Sequence, residues 1–156
     1  IGDVAVARMT QDGAVFTGIE AEFTFPVSQG PHHFTELSFN GDFVRARLDS
    51  NGNVPRIPPF RYGAEVVHTH SDWRYKLRVT QVGKQSDVAV NETTTKGYTL
   101  LNASVDYHAN VLGSDLTLFG KANNLLDKEV RNHASVLKDV APETGRNIVL
   151  GLRLEF

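Results

Sequence analysis

The chain has 156 residues, of which 40% are hydrophobic and 22% charged, and its net charge is −2. This is the size and composition of one ordinary domain, and the lack of a basic cluster argues against binding to DNA or RNA. Because the chain contains no cysteine, disulfides and thiolate metal sites are excluded.

The sequence also lacks the usual signs of a helical membrane protein. No segment approaches the roughly 20 consecutive apolar residues of a spanning helix. The first residues, Ile1-Gly-Asp-Val, are neither basic nor hydrophobic enough for a signal segment, and Ile1 in place of Met suggests a mature product or a fragment. The mean hydropathy of −0.26 leaves a membrane β-barrel open, because only alternate residues of its strands are apolar.

Alternating apolar and polar residues recur along the chain, separated by turn residues, and no window shows a helical apolar stripe. The pattern predicts an all-β chain of about eight strands. In chain order, these strands are expected near residues 3–9, 14–25, 33–47, 60–70, 73–82, 98–109, 115–125 and 146–156.

The predicted connections fall into two length classes. Those at residues 26–31, 71–72 and 110–114 are short, whereas those at 49–59, 83–97 and 127–145 are long and rich in Gly, Pro, Asn and Asp. The connection at residues 10–13, between the first two predicted strands, is the one that does not fit the alternation of short and long connections. Short turns at one end and long loops at the other are typical of an outer-membrane barrel, whose short turns face the periplasm.

The two faces of the predicted strands differ in charge. One face is apolar, and the other carries Glu20, Glu22, Glu36, Asp42, Glu65, Arg74, Lys76, Arg78, Asp106, Lys121, Arg153 and Glu155. Because Glu65 lies one strand before three bases, we expect cross-strand ion pairs on this polar face. In a membrane barrel the polar face lines the interior and the apolar face contacts lipid.

A few residues oppose this division of the faces. Phe119 lies on the polar face, and Val149 interrupts the polarity of that face in the last strand. Arg45 and Arg47 lie on the apolar face, where we expect them to stand above the membrane near a long loop.

Aromatic residues gather at the short-turn ends of the apolar face. If the last strand runs towards the periplasm, antiparallel order brings four rings to one level, where Phe156 ends the same face: Phe25, Trp73, Tyr75 and Tyr107. Membrane barrels place such an aromatic girdle at the lipid–water interface. The sequence therefore predicts an antiparallel up-and-down transmembrane β-barrel.

One pair of histidines suggests different chemistry. His68 and His70 lie on the same side of a strand, a spacing used by metal sites in soluble cupin-like barrels. The Glu that follows such a pair in cupins is missing, so we interpret the two as interfacial histidines and keep a soluble metal-binding barrel as an alternative. Without a nucleophile–base arrangement or a phosphate-binding Gly loop, we predict no enzyme, no catalytic residue, no metal and no cofactor.

Three segments resemble the carboxy-terminal signature of TonB-dependent outer-membrane receptors: residues 116–128 (LTLFGKANNLLDK), 141–147 (APETGRN) and 150–156 (LGLRLEF). Residues 12–22, 41–47, 55–59 and 92–102 resemble earlier strands and loops of these barrels in the same order, so the resemblance covers residues 12–156. It implies that residues 1–156 are a carboxy-terminal barrel segment, the last third of a barrel of about 22 strands, without the plug domain. A small self-contained eight-stranded barrel is the alternative.

The resemblance also implies a function, a location and partners. Receptors of this family import scarce nutrients such as ferric siderophores, haem, cobalamin or zinc across the bacterial outer membrane. The expected partners are outer-membrane lipid, the plug domain, the TonB complex and the barrel-assembly machinery. That machinery would recognise an assembly signal in the last strand, expected at Gly151, Leu154 and Phe156.

The long loop before the last strand is the expected place of ligand contact. It carries Arg131, His133 and Asp139, whose side chains suit a metal, a metal chelate or haem. We therefore predict these three residues as ligand-binding residues.

Overall fold

The structure is a computed structural model that describes residues 11–156. In this range the chain forms seven β-strands and no helix: β1 (Ala14–Gly30), β2 (His33–Leu48), β3 (Arg61–His70), β4 (Trp73–Val82), β5 (Tyr98–Val111), β6 (Ser114–Asn123) and β7 (Asn147–Glu155). The strand predicted near residues 3–9 lies outside the described residues. No helix long and apolar enough to cross a membrane is present between residues 11 and 156.

The strands form one antiparallel sheet in chain order, and each strand pairs with the next. This confirms the predicted all-β, up-and-down arrangement. Within residues 11–156, β1 and β7 are not paired with each other, so the sheet is not closed. Seven is an odd number of strands, so β1 and β7 run in the same direction.

The first hairpin differs most from the prediction. The turn expected at residues 26–31 is wrong, because β1 continues to Gly30 and only Pro31 and His32 form the turn. The register passes from Pro26 opposite Glu36 to Ser28 opposite Thr35, which leaves Val27 as an extra residue. Such a bulge accommodates Pro26, whose missing N–H group would otherwise interrupt a regular ladder.

The other two short connections are two-residue turns. The prediction of residues 71–72 is confirmed, whereas the connection predicted at 110–114 is shorter, because β5 continues to Val111 and β6 begins at Ser114. In the β5–β6 turn both residues have positive φ angles, 54° at Leu112 and 86° at Gly113, the combination that matches the twist of a hairpin. The β3–β4 turn is tied on both sides, because Ser71 N donates to His32 O of the β1–β2 turn at 2.8 Å and His108 N, in β5, donates to Asp72 O at 2.9 Å.

The strands also differ in length. β3, β4 and β6 have 10 residues each and β7 has 9, within the roughly 9–11 that a tilted strand needs to cross a bilayer. β1 and β2 are longer, with 17 and 16 residues. Arg61, the first residue of β3, pairs with Asp42, so residues 43–48 of β2 continue past β3, by about 20 Å at the usual rise per residue.

Candidate functional site

The three long loops all emerge at the end opposite the two-residue turns. They are the β2–β3 loop (49–60), the β4–β5 loop (83–97) and the β6–β7 loop (124–146). In an antiparallel meander alternate connections share one end of the sheet, which is why the loops meet. Their contacts with one another make this end the candidate functional site.

The first two loops are joined by side-chain amides that donate to main-chain carbonyl groups. Asn53 Nδ2 donates to Val88 O at 3.0 Å, and Gln85 Nε2 donates to Ile57 O at 2.9 Å. Gln85 also exchanges two backbone hydrogen bonds with Thr95, of 3.0 and 3.1 Å, which narrow the β4–β5 loop into a small ladder. The two loops therefore support each other away from the sheet.

Glu92 is the point where all three loops meet. Its carboxylate accepts hydrogen bonds from Arg56 N in the β2–β3 loop and from Ala89 N in its own loop, each of 2.9 Å. Its Oε1 atom also lies 3.3 Å from His133 Nε2 and 3.8 Å from Lys138 Nζ, both in the β6–β7 loop. One carboxylate thus connects three separate segments of the chain.

His133 is the most deeply buried large side chain among the described residues, with 2% of its surface exposed. Its Nδ1 atom lies 3.0 Å from Thr95 Oγ1, in the β4–β5 loop. Burial lowers the pKa of His133 below 6.5, and the charge of Lys138 lowers it further, against the opposite effect of Glu92 and Asp139. At neutral pH the imidazole is therefore uncharged.

The pKa of Glu92 lies below its ordinary value of 4.5. Burial opposes ionisation, but the two backbone N–H donors, from Ala89 and Arg56, outweigh it, and the basic groups of His133 and Lys138 act in the same direction as the donors. Glu92 is therefore ionised at neutral pH, and its charge is balanced by Lys138, of which 5% is exposed.

The residues predicted to bind ligand all belong to this loop assembly. Arg131 Nε pairs with Glu129 Oε1 at 2.6 Å, and Arg131 Nη1 donates to Lys138 O at 2.6 Å. Asp139 accepts a short hydrogen bond from Thr93 Oγ1. His133 faces the interior of the assembly, and ligand contact by the three residues stays a prediction. Glu92 and Lys138 were missed, because no motif distinguishes them from other charged loop residues.

The start of the β6–β7 loop is fixed by side-chain hydrogen bonds. Asn124 has a φ of 50°, and its side chain accepts a hydrogen bond from Lys128 N at 3.0 Å and donates one to Lys128 O at 2.8 Å. The side-chain amide thus takes the place of a backbone partner where β6 ends. Asp127 Oδ1 accepts from Arg146 N at 2.9 Å, which closes the loop just before β7 begins. The loop is therefore fixed at its base as well as at Glu92.

Below the loops, the sheet separates charge from apolar surface as predicted. Cross-strand partners share a face, and the register places the charged residues of the predicted polar face together. Asp42 pairs with Arg61 at 3.0 Å, and Glu65 pairs with Lys76 at 3.4 Å and with Arg78 at 3.6 Å. The ion pairs expected across β3 and β4 are thus present for two of the three bases.

The opposite face, here called the apolar face, is exposed. Ile19 is 71% exposed, Phe23 66% and Leu150 80%, although none is polar. The same face includes other exposed apolar side chains, namely Phe25, Phe39, Leu77, Val79, Leu118, Ile148, Leu152 and Leu154. No second layer covers this face in the described part of the chain. A contiguous apolar surface of this kind marks contact with a partner or a membrane.

Three rings of the predicted girdle come together at the short-turn end of the apolar face. The ring centroid of Trp73 lies 4.7 Å from that of Tyr107 and 6.0 Å from that of Tyr75. Phe25 lies apart from them and packs on Phe39, at 6.0 Å between ring centroids.

Two histidines extend this ring cluster. His68 stacks against Tyr75 and against His70, with 6.3 Å between ring centroids in each case. Its Nδ1 atom lies 2.8 Å from Thr35 Oγ1. Among the described residues, no group of three or more His, Cys, Asp or Glu side chains is positioned to hold a metal ion.

The residues that seemed misplaced in the sequence have local explanations. Phe119 lies against Gly151 across β6 and β7, where a Cβ atom would overlap its ring, and Lys121 Nζ lies 5.3 Å from the ring centroid. Arg45 lies in the part of β2 that continues past β3, where it pairs with Asp87 of the β4–β5 loop at 3.6 Å. The backbone of Arg47 pairs with that of Asn53, in the β2–β3 loop, as a single antiparallel β-bridge.

The predicted assembly signal lies on two faces of β7. Gly151 is on the polar face beneath Phe119, whereas Leu154 is on the apolar face opposite Leu116. Phe156 follows the end of β7 and is fully exposed. The positions are compatible with recognition by another protein, which stays a prediction.

Comparison with known proteins identifies the fold. Residues 3–125 match the family model described as TonB dependent receptor-like, beta-barrel. Among solved structures, the copper transporter OprC superposes with a TM-score of 0.69 at 18% identity, over 92% of this chain and 23% of that chain. The chain thus spans about a quarter of the length of that structure.

Proposed function

Because the chain belongs to the TonB-dependent receptor-like β-barrel family, we propose that it forms part of the wall of a bacterial outer-membrane receptor that imports a scarce nutrient. The observation that carries the proposal is the one-layer sheet, apolar and exposed on one face and charged on the other. A soluble sheet covers its apolar face with a second layer, whereas in a barrel the hydrocarbon of the membrane covers it.

The positions of side chains along the strands support an orientation with the apolar face towards lipid and the long loops at the cell exterior. The strands β3, β4, β6 and β7 have the length of transmembrane strands. At one end of the apolar face lie the clustered rings of Trp73, Tyr75 and Tyr107, which suit the periplasmic lipid–water interface. At the other end lie the long loops and Arg45, which suit the cell exterior.

In this arrangement the parts of the chain have different roles. The apolar face contacts outer-membrane lipid, the polar face lines the interior next to a plug domain, and the interlocked loops form part of the outer ligand vestibule. The barrel-assembly machinery inserts the chain, and the TonB complex supplies energy through the plug. The chain itself carries out no catalysis.

The nutrient belongs to the classes that such receptors import. The candidates are a ferric siderophore, haem, cobalamin and zinc, and the cargo of the structural neighbour adds copper. We expect loss of the complete receptor to slow growth when one of these nutrients is limiting and not when the others are.

Two adjacent residues on opposite faces of β7 provide the test of the lipid-facing orientation. Nitroxide labels are placed at Leu150→Cys, on the apolar face, and at Val149→Cys, on the polar face, in the complete receptor in liposomes. We expect the label at position 150 to be more accessible to oxygen, which concentrates in hydrocarbon, than to a water-soluble nickel chelate.

The label at position 149 is the matched control, for which we expect low oxygen accessibility. The reverse order, or equal accessibility at the two positions, would contradict the proposed function. Because both labels lie in the middle of the same strand, a general difference in mobility cannot produce the expected contrast.

A further inference from the structure

We propose that Glu92, His133 and Lys138 form an acid-sensitive latch, which holds the three long loops together at neutral pH and releases the β6–β7 loop at acid pH. The inference rests on the proposed function only in placing these loops where the ligand reaches the receptor. It concerns the movement of the loops and requires no knowledge of the nutrient.

The first basis for the latch is the sharing of one buried carboxylate. The side chains of Glu92, His133 and Lys138 expose 9%, 1% and 6% of their surface. Glu92 receives backbone N–H groups from two loops and faces basic groups from the third. Lys138 Nζ also donates to Thr93 O and to Thr93 Oγ1, so the third loop contacts the residue after Glu92 as well as its carboxylate.

The second basis is the position of His133 Nε2. This atom is buried and has no hydrogen-bond partner among the described residues, although Glu92 Oε1 lies 3.3 Å away. A buried polar atom without a hydrogen bond destabilises the state that contains it. The contacts around this ring therefore stabilise the closed arrangement only weakly.

Protonation of His133 would place a second cation in the same buried space. The charged groups around the ring are Lys138 and Asp139 of its own loop and Glu92 of the β4–β5 loop. The β2–β3 loop reaches the cluster through the main chain of Arg56. Lys138 already lies in this space, and its charge together with burial opposes the imidazolium more strongly than Glu92 and Asp139 favour it, so protonation of His133 weakens the closed latch.

The direction of the pH effect follows from proton binding. Because burial and Lys138 hold the pKa of His133 below 6.5 in the closed state, the open state binds protons more readily. The stability that uncharged His133 gives the closed latch is therefore fully present above pH 6.5 and is lost as the pH falls below that value. Protonation of Glu92, whose pKa is also lowered, would weaken it further at more acid pH.

The test measures the distance between two loops. The chain has no cysteine, so Val90→Cys and Val136→Cys, both at exposed positions, provide unique labelling sites in the β4–β5 and β6–β7 loops. Spin labels are attached in the complete receptor, with any cysteine outside this chain replaced. We expect a narrow distance distribution at about pH 7.5 and a broad, longer one at about pH 5, reversibly and with a midpoint below 6.5.

Two variants assign the effect to the latch. Glu92→Gln keeps the shape of the side chain without its charge, and we expect a broad distribution at both pH values. His133→Gln keeps a polar group next to Thr95 but removes the titrating ring, and we expect the midpoint to move to lower pH.

Glu129→Gln, at an exposed acid in the same loop, is the matched control and should behave as the unsubstituted chain. The latch is wrong if the distribution is the same at both pH values, if Glu92→Gln behaves like Glu129→Gln, or if His133→Gln leaves the midpoint unchanged. None of these outcomes affects the proposed function, which the accessibility labels in β7 test separately.

Discussion

At the scale of single residues, Phe119 and Gly151 show how a large ring is accommodated on a charged wall. The ring of Phe119 lies over the backbone of its partner, Gly151, which has no side chain to displace it. The ring thereby covers the gap that the glycine leaves, and Lys121 Nζ lies 5.3 Å from the ring centroid. A glycine in a strand interior is usually weakening, but here close packing explains its presence.

We expect Gly151→Ala to destabilise the protein by about 1–3 kcal/mol, because the added methyl group would lie 2.9 Å from Phe119 Cε1. Gly120→Ala is the matched control, since its Cβ atom would meet the end of the flexible Leu150 side chain at 3.2 Å and Val105 Cγ1 at an ordinary contact distance of 3.5 Å. Midpoints of urea unfolding in detergent micelles measure both changes. Equal effects of the two substitutions would contradict the packing explanation.

The double variant Gly151→Ala/Phe119→Ala separates packing from recognition. If Gly151 is needed only to admit the ring, removal of the ring should restore both stability and assembly in the outer membrane. Restored stability without assembly would instead support the predicted role of Gly151 in the assembly signal.

At the residue scale, the sequence predicted the ion pairs of Glu65 with the bases of the next strand, because alternation places these side chains on one face of neighbouring strands. The junction at Glu92 depends on three loops that are far apart in the chain, so no spacing or motif predicted it. The burial of His133 was not foreseen for the same reason.

At the scale of strands, alternation identified the seven described strands, and the short turns between them set most of the register. The exception is the end of β1, where Pro26 favoured a turn. The bulge at Val27 lets the strand continue past the proline, and a bulge leaves little trace in the sequence. Local propensity predicted an interruption there, whereas pairing with β2 extended the strand.

The bulge predicts different effects of two single-residue deletions. Deletion of Val27 removes the extra residue and leaves the register unchanged on both sides, so we expect a local cost of about 1 kcal/mol, from the ladder hydrogen bond that Pro26 cannot donate. Deletion of Ser38, in the regular part of β2, moves Asn40 and Asp42 to the apolar face. We expect this second variant to fail to assemble, because each polar side chain moved into hydrocarbon carries a large cost.

The assembled fraction can be measured from the different gel mobility of folded and heated samples. Equal assembly of the two deletion variants would show that β2 tolerates a shift of register, contrary to the fixed pairing described above.

At the scale of the whole molecule, the parity of the strands limits how the sheet can close. β1 and β7 run in the same direction, so they cannot join in an antiparallel ladder. Closure of an antiparallel barrel requires an odd number of additional strands. A single strand would satisfy this in a small barrel of eight, and fifteen would satisfy it in a barrel of about 22.

We therefore expect the outer edge of β1 to be paired in the complete receptor. Its outward-pointing amides should exchange hydrogen slowly there and at least about tenfold faster in a chain that begins at residue 11. The amides of β4, which is paired on both sides, provide the control and should be protected in both. Slow exchange along both edges of the shorter chain would show that another partner, such as a second copy, covers β1.

The tied two-residue turns also bear on how related proteins diverge. An insertion there would have to break the bonds that join neighbouring turns, for example between Ser71 and His32. Gains and losses of residues among relatives should therefore accumulate at the opposite end, in the parts of the long loops that lie outside the contacts at Glu92. The loops can then change, and with them the ligand preference of a receptor, while the sheet keeps its structure.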